Sequence, residues 1–258
     1  MKIQLLPSTV SGNGRPALEQ RLTCFLVDDC VAIDAGSLAL SLDDAQRSAV
    51  RDIIITHPHL DHTATLPIFL DELFATLDEP VRVYAAPEVI EILERDVFNW
   101  RVFPRFSELR NEWGPVIQYV PVNPCEEFTV RHLRVTAVPV NHSVPTVGLI
   151  LTDGERTIGV GSDTGETEEF WRRVNLQSRL DALLIEASFP ESMAQLAALS
   201  GHLTPATLRT ELAKLKHRDV EVLAMHLKPA YREILTGELE SLNIDGLRVM
   251  LPGVEYCW

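Results

Sequence analysis

The 258-residue sequence predicts a mixed α/β (α+β) protein, and three observations carry that expectation. Short β-branched or apolar runs recur along the chain, among them Ile53-Ile54-Ile55 and Val222-Leu223-Ala224-Met225. Stretches with helical spacing of apolar residues follow such runs, as expected where helices cover a sheet. No heptad, fixed-period repeat, low-complexity tract or Pro/Gly-rich linker splits the chain, so one domain over 1–258 is expected.

In chain order, strands are expected at 2–6, 22–27 and 30–33, the third running into the turn-like Asp34-Ala35-Gly36. Residues 51–56 hold a continuous β-branched run and predict a buried strand. Leu66, Ile68, Phe69, Leu73 and Phe74 give residues 61–75 a helical period. Further strands are expected at 81–85, 117–120, 133–140, 147–152, 157–161, 182–185, 220–225 and 247–251, and helices at 87–97, 167–174, 192–199, 205–215 and 230–242. Thr204 before Pro205 reads as an N-cap followed by proline at the first helical position.

Composition is that of a soluble globular chain, 46% hydrophobic and 23% charged. The N-terminal apolar run is broken at Pro7, too early for a signal core, and no later stretch approaches a membrane span. A cytoplasmic protein without membrane contact is expected. Cys24, Cys30, Cys125 and Cys257 form no CxxC pair and a disulfide framework is not expected; Cys24 and Cys30, flanking an expected strand or hairpin, read as small buried hydrophobes. The net charge of −14 repels polyanions and argues against nucleic acid as a partner, while a small anionic substrate drawn to a metal-rich pocket stays compatible.

The chemistry concentrates in His57-Pro58-His59-Leu60-Asp61-His62. Three imidazoles and a carboxylate within six residues are an N/O ligand set suited to zinc and similar divalent ions. His57 and His59, two apart in extended chain, can face one side, and Asp61 and His62 turn with the following helix. The competing reading is a polar surface loop, which four ligand-type residues directly after a buried strand disfavour. His142, Asp163 and His226 each follow an expected strand, where rigid backbone can hold ligand geometry. His132 and His217 lie in charged contexts and read as surface residues.

This series, HPHLDH, a lone His, Gly161-Ser162-Asp163 and a late His, resembles the metallo-β-lactamase superfamily of binuclear hydrolases over nearly the whole chain. The resemblance implies a four-layer αββα sandwich with the metal site at one edge of the two sheets. It implies two divalent ions, zinc first and Mn²⁺ or Fe²⁺ as alternatives. His57, His59 and His142 would hold one ion, Asp61, His62 and His226 the other, and Asp163 would bridge them.

Three segments narrow the resemblance: Phe98-Asn99-Trp100-Arg101-Val102-Phe103-Pro104-Arg105-Phe106, Gly201-His202-Leu203-Thr204-Pro205 and His226-Leu227-Lys228-Pro229. With the opening Thr23–Val27 and Ile33–Ser37 stretches, they look like the class II cyclic-nucleotide phosphodiesterases. Phe103 departs from the pattern, since relatives often carry Trp before the Pro. The first segment lies in an aromatic insertion around 87–115, whose rings either pin a lid or offer a wall for a purine. The resemblance implies hydrolysis of cyclic AMP or cyclic GMP to the 5′-monophosphate. His202 would be the general acid, Glu186 would orient it, and Asp61 would help orient the attacking hydroxide. Asn99, Trp100, Phe103 and Lys228 would contact the nucleotide, and a homodimer is left open. A tRNA 3′-processing endonuclease, resembling the chain in the same ligands and the Glu186/His202 pair, is the alternative, and a non-catalytic metal- or ligand-binding module a further one. Another hydrolase of the same fold, acting on a lactone or thioester, is also kept.

Overall fold

A computed structural model describes residues 1–12 and 14–258. Its contacts divide the chain into two compact units, each discontinuous in sequence: Met1–Leu18, Leu22–Asn123 and Pro252–Cys257 in the first, Glu19–Arg21, Pro124–Leu251 and Trp258 in the second.

The first unit is built on strands β1 (Lys2–Leu5), β2 (Phe25–Val27), β3 (Val31–Ile33), β4 (Asp52–Ile54), β5 (Val81–Ala85) and β6 (Ile117–Pro121). β1–β3 pair antiparallel, whereas β3 to β6 run parallel with Ile33 opposite Ile54 and Ile54 opposite Tyr84. Both β3 and β4 are wholly buried, β3 as an apolar run and β4 with Asp52 ahead of Ile53 and Ile54, its carboxylate accepting from Arg82 and Tyr84. Parallel neighbours need crossovers, supplied here by helices α1 (Leu38–Ser41), α2 (Asp44–Ala49), α3 (Leu60–Thr63), α4 (Leu66–Leu73) and α5 (Pro87–Ile92). α4 buries Leu66, Phe69 and Leu70 in a core with Ile53, Val83 and Val89.

The second unit contains β7 (Glu127–Val130), β8 (Leu133–Pro139), β9 (Val147–Thr152), β10 (Thr157–Val160), β11 (Ala182–Glu186), β12 (Glu221–Met225) and β13 (Leu247–Val249) in a seven-stranded sheet ordered β13-β12-β11-β10-β9-β8-β7. Hairpins make β7 to β10 antiparallel, and β10 to β13 are parallel. Its helices are α6 (Glu169–Val174), α7 (Ala194–Ser200), α8 (Pro205–Leu212) and α9 (Arg232–Ser241). Phe170, Trp171, Leu183, Leu208 and Leu235 pack in its core. A last strand, β14 (Glu255–Cys257), returns to β1 and completes the other seven-stranded sheet, β14-β1-β2-β3-β4-β5-β6.

The strand and helix order follows the expectation, with differences that have physical causes. The single helix expected over 61–75 is two, because Pro67 lacks the N–H that would bond Thr63 and its ring opposes that carbonyl, so the helix restarts at Leu66. Residues 93–97, expected to continue α5, form a π-helical turn. α1 and α2 were not expected, being too short to display a helical period. β7 and β14, also not expected, are short edge strands without a hydrophobic stripe. Thr204 does cap α8, accepting from the Thr207 amide, with Pro205 in the first turn. The four cysteines are free; Cys24 is buried as expected, whereas Cys30 is half-buried in the turn between β2 and β3. No described helix is long and apolar enough to cross a membrane.

Candidate active site

Most of the expected residues sit at or just beyond strand ends, and at several of those ends the backbone is bent into conformations that side chains resist. Asp34, which follows β3, has φ 61°; Ser162, just beyond β10, has φ 57°; His226, which follows β12, has φ 59°. Left-handed non-glycine residues cost free energy and cluster where a fold must aim a side chain.

In the first unit, β4 leads through Thr56 into His57, and α3 presents Asp61 and His62. His57 and His62 are buried with ring centroids 4.1 Å apart, and His59 meets His57 edge-on at 4.9 Å. The buried Asp34 carboxylate organises them. It accepts from the Thr56 amide at 2.8 Å, from Thr56 Oγ1 at 2.9 Å and from His62 Nδ1 at 2.7 Å. An ionised carboxylate only accepts, so His62 carries its proton on Nδ1 and turns Nε2 to the cluster. Gly36 makes room for this loop: a Cβ there would lie 2.0 Å from the Asp61 carbonyl oxygen.

In the second unit, Glu186 ends β11 fully buried and takes four hydrogen bonds: Thr164 N at 2.8 Å and His202 Nδ1 at 2.7 Å on Oε1, Ser188 Oγ at 2.6 Å and Leu203 N at 3.1 Å on Oε2. That number fills the acceptor positions of a carboxylate. Glu186, His202 and His226 lie together, each offering a polar atom within 4.8 Å of the others, as do His142, Asp163 and His202. Burial pulls the His202 pKa down, but the hydrogen bond and charge of Glu186, reinforced by Asp163, outweigh it against opposition from Lys228. The net direction is upward. His142 donates Nδ1–H to the Gly201 carbonyl at 2.8 Å. Gly201 is left-handed at φ 69°, and a Cβ there would lie 3.0 Å from His142 Cα, so the glycine of Gly-His-Leu-Thr-Pro is a packing requirement.

The donor set fits a divalent cation of the zinc type. Each unit offers buried imidazoles and a carboxylate at a strand end, and His62 and His142 are oriented through Nδ1 by a carboxylate or a carbonyl, the usual arrangement for metal-binding histidines. His132 is exposed as expected, whereas His217 is half-buried and bonds the Val174 carbonyl at 3.0 Å.

The insertion residues divide. Asn99 is engaged in its own turn, accepting from the amides of Arg101 and Val102 and donating to the Arg95 carbonyl. Phe103 stacks on the buried Phe106, which also meets the buried Phe98 edge-on. Trp100 is 54% exposed, at φ 66°. Three side chains that orient these imidazoles carry no ligand signal in the sequence: Asp34 in its turn-like Asp-Ala-Gly, Thr56 next to His57, and Ser188 two residues after Glu186. An acidic residue directly after a buried strand was the available clue to Asp34.

A family model described as the beta-lactamase superfamily domain matches residues 26–227. The chain belongs to the beta-lactamase superfamily. It is similar to the metallo-β-lactamase fold protein YhfI from Bacillus subtilis, with a TM-score of 0.76 at 17% identity over 99% of this chain and 98% of that one. The fold is thereby the metallo-β-lactamase fold that the resemblance implied, each unit contributing one sheet and its helices. Among curated relatives, the chain is 27% identical over 235 residues to a probable 3′,5′-cyclic-nucleotide phosphodiesterase of Yersinia pestis, covering 80% of this chain and 66% of that protein. It is 26% identical over 244 residues to 3′,5′-cyclic-nucleotide phosphodiesterase 1 of Saccharomyces cerevisiae, covering 78% and 65%. The chain thus spans just under two thirds of the length of these two relatives. A nuclear ribonuclease Z of Triticum aestivum is 28% identical over 127 residues, 48% of this chain and 68% of that protein.

Proposed function

We propose that this chain is a binuclear metal-dependent phosphodiesterase that opens 3′,5′-cyclic nucleotides to 5′-monophosphates. The observation that carries the reading is the buried Glu186–His202 pair, bonded at 2.7 Å, in contact with His142 and His226 on strand-end loops. It joins the HPHLDH segment and the names of the Yersinia and yeast relatives in favouring a phosphoric diester. Following the superfamily pattern, His57, His59 and His142 are assigned to one ion, Asp61, His62 and His226 to the other, and Asp163 to both. When bound, two such ions supply Lewis-acid polarisation of the phosphoryl oxygens and ease deprotonation of the attacking water.

The chain's own residues do the remaining work. His202 donates Nδ1–H to Glu186, so Nε2 is the atom that handles the proton in flight. Glu186 favours the charged imidazolium and holds the ring still. Water oxygen bonds to phosphorus, the P–O3′ bond breaks, and O3′ takes the proton from His202 Nε2. The proton lost by the water returns to His202 through solvent. Asp61 orients the water, and Lys228 offsets phosphate charge. Of the insertion residues, Trp100 has an exposed indole for base stacking, whereas Asn99 and Phe103 support the segment that presents it. Four free cysteines fit a reducing, cytoplasmic setting.

Protein loaded with zinc or manganese should hydrolyse cyclic AMP or cyclic GMP, and His59→Ala should abolish turnover. If the metal-loaded wild type cleaves bis(p-nitrophenyl) phosphate but neither cyclic nucleotide, the substrate assignment fails while the hydrolase reading stands. Two bound ions with no turnover of any of the three would point to a binding module.

A further inference from the structure

Ser188 stands two residues beyond Glu186 and takes no part in the reaction above, yet its hydroxyl is buried between two of that reaction's groups. Oγ lies 2.6 Å from Glu186 Oε2, 2.9 Å from His226 Nδ1 and 3.2 Å from the His226 carbonyl oxygen. A serine hydroxyl has one proton to give and two lone pairs. The shortest bond is to the carboxylate, the strongest acceptor of the three, so the proton goes to Glu186. The contact to His226 Nδ1 is then a bond only if Nδ1 carries hydrogen and donates it to Oγ.

We propose that Ser188 is a positioning residue that relays the Glu186 carboxylate to His226, fixing the Nδ1–H tautomer and so aiming the Nε2 lone pair as the metal ligand. The opposite tautomer has a rival partner, since Nε2 lies 3.4 Å from Asp163 Oδ2, and an Nε2–H there would block ligation. Ser188 decides between them. It also steadies the left-handed backbone of His226, which is clamped on either side by Ala187 N to Met225 O at 3.0 Å and Lys228 N to Ser188 O at 3.4 Å.

The first unit repeats the device with different residues. There the Thr56 hydroxyl donates to Asp34 at 2.9 Å and lies 3.0 Å from His57 Nδ1, while Asp34 holds His62 directly. In both units one buried carboxylate grips one imidazole through Nδ1 and a second through a β-hydroxyl. The two relays arise on separate sheets from Thr and Ser, so the hydroxyl is the common element.

The zinc arm of the test rests on the proposed metal centre; the tautomer arm does not. Long-range ¹H–¹⁵N correlation spectra of the metal-free protein, at a pH where imidazoles are neutral, report which His226 nitrogen bears hydrogen. Wild type and Ser188→Thr should give Nδ1–H, and Ser188→Ala should give a mixture or Nε2–H. Zinc affinity, read by competition with a chromophoric chelator, should fall about tenfold or more in Ser188→Ala and be kept in Ser188→Thr. An Nε2–H resonance for His226 in the wild type overturns the proposal even if Ser188→Ala does not fold. So does a folded Ser188→Ala that retains Nδ1–H and zinc affinity within twofold of wild type. A wild type that binds no zinc would instead defeat the metal centre, and the tautomer result would still decide the role of Ser188.

Discussion

Asp34 concentrates much of the first unit's architecture in a single side chain. Its left-handed backbone turns the carboxylate back onto the β4 extension, where it satisfies the buried Thr56 amide and hydroxyl and fixes His62. Buried donors left without acceptors are costly, and a ligand with the wrong tautomer cannot bind. Asp34→Asn nearly preserves volume but presents an amide NH₂ toward groups that need an acceptor. Zinc affinity should fall about 10- to 100-fold, measured by chelator competition on protein whose circular dichroism matches wild type. Unchanged affinity in a folded variant would remove Asp34 from metal positioning. Such side chains act over one or two bonds, and the effect belongs at this scale.

Elements hold their places partly through a second buried carboxylate that has no assigned part in the chemistry. Glu211, on α8, accepts from the Thr167 amide at 3.0 Å and Trp171 Nε1 at 2.6 Å, and pairs with Lys214 at 2.6 Å. These bonds tie α8 to α6, whose Trp171 and Phe170 fill the core of the second unit. Glu211→Ala strands the Thr167 amide and the Trp171 indole N–H, while Lys214 keeps Glu168 and the Thr167 carbonyl as partners, so a loss of about 3 kcal/mol is expected, read from the urea midpoint with unchanged slope. A loss below about 1 kcal/mol would mean that water or a neighbouring carboxylate satisfies these groups. The helix pair α3–α4 carries the opposite lesson. Its apolar period points to one helix over 61–75, whereas Pro67, together with the bond from the Thr65 amide to the Ala35 carbonyl, sets the restart that separates Asp61 and His62 from α4.

At the scale of the molecule the dominant number is the net charge of −14. Binding a long RNA releases counterions only where Lys and Arg neutralise phosphates, and this chain has 23 such residues against 37 acidic ones. A small nucleotide needs only local compensation. Precursor tRNA should therefore remain uncut at ordinary salt under conditions that turn over cyclic nucleotide, judged by gel electrophoresis of the 3′ products. Cleavage there would favour the function named for the wheat relative instead.

The sequence by itself determined the α/β class, most strand positions, the HPHLDH cluster and the late histidines, and the pairing of Glu186 with His202 through family resemblance. Those features are legible because strand periodicity and ligand chemistry are local, written within a few residues of one another. Only the tertiary structure decided that Asp34 grips His62 from 28 residues away, or that Ser188 links Glu186 to His226 across 38. A lone Asp, Thr or Ser after a strand is chemically ordinary. Its role depends on which imidazole the neighbouring strand end brings within 3 Å, and strand pairing, not sequence spacing, sets that distance. The Gly201 packing and the left-handed turns at Asp34, Ser162 and His226 were hidden for the same reason. Local patterns announced the candidate ligands, and contacts between distant segments revealed the groups that orient them.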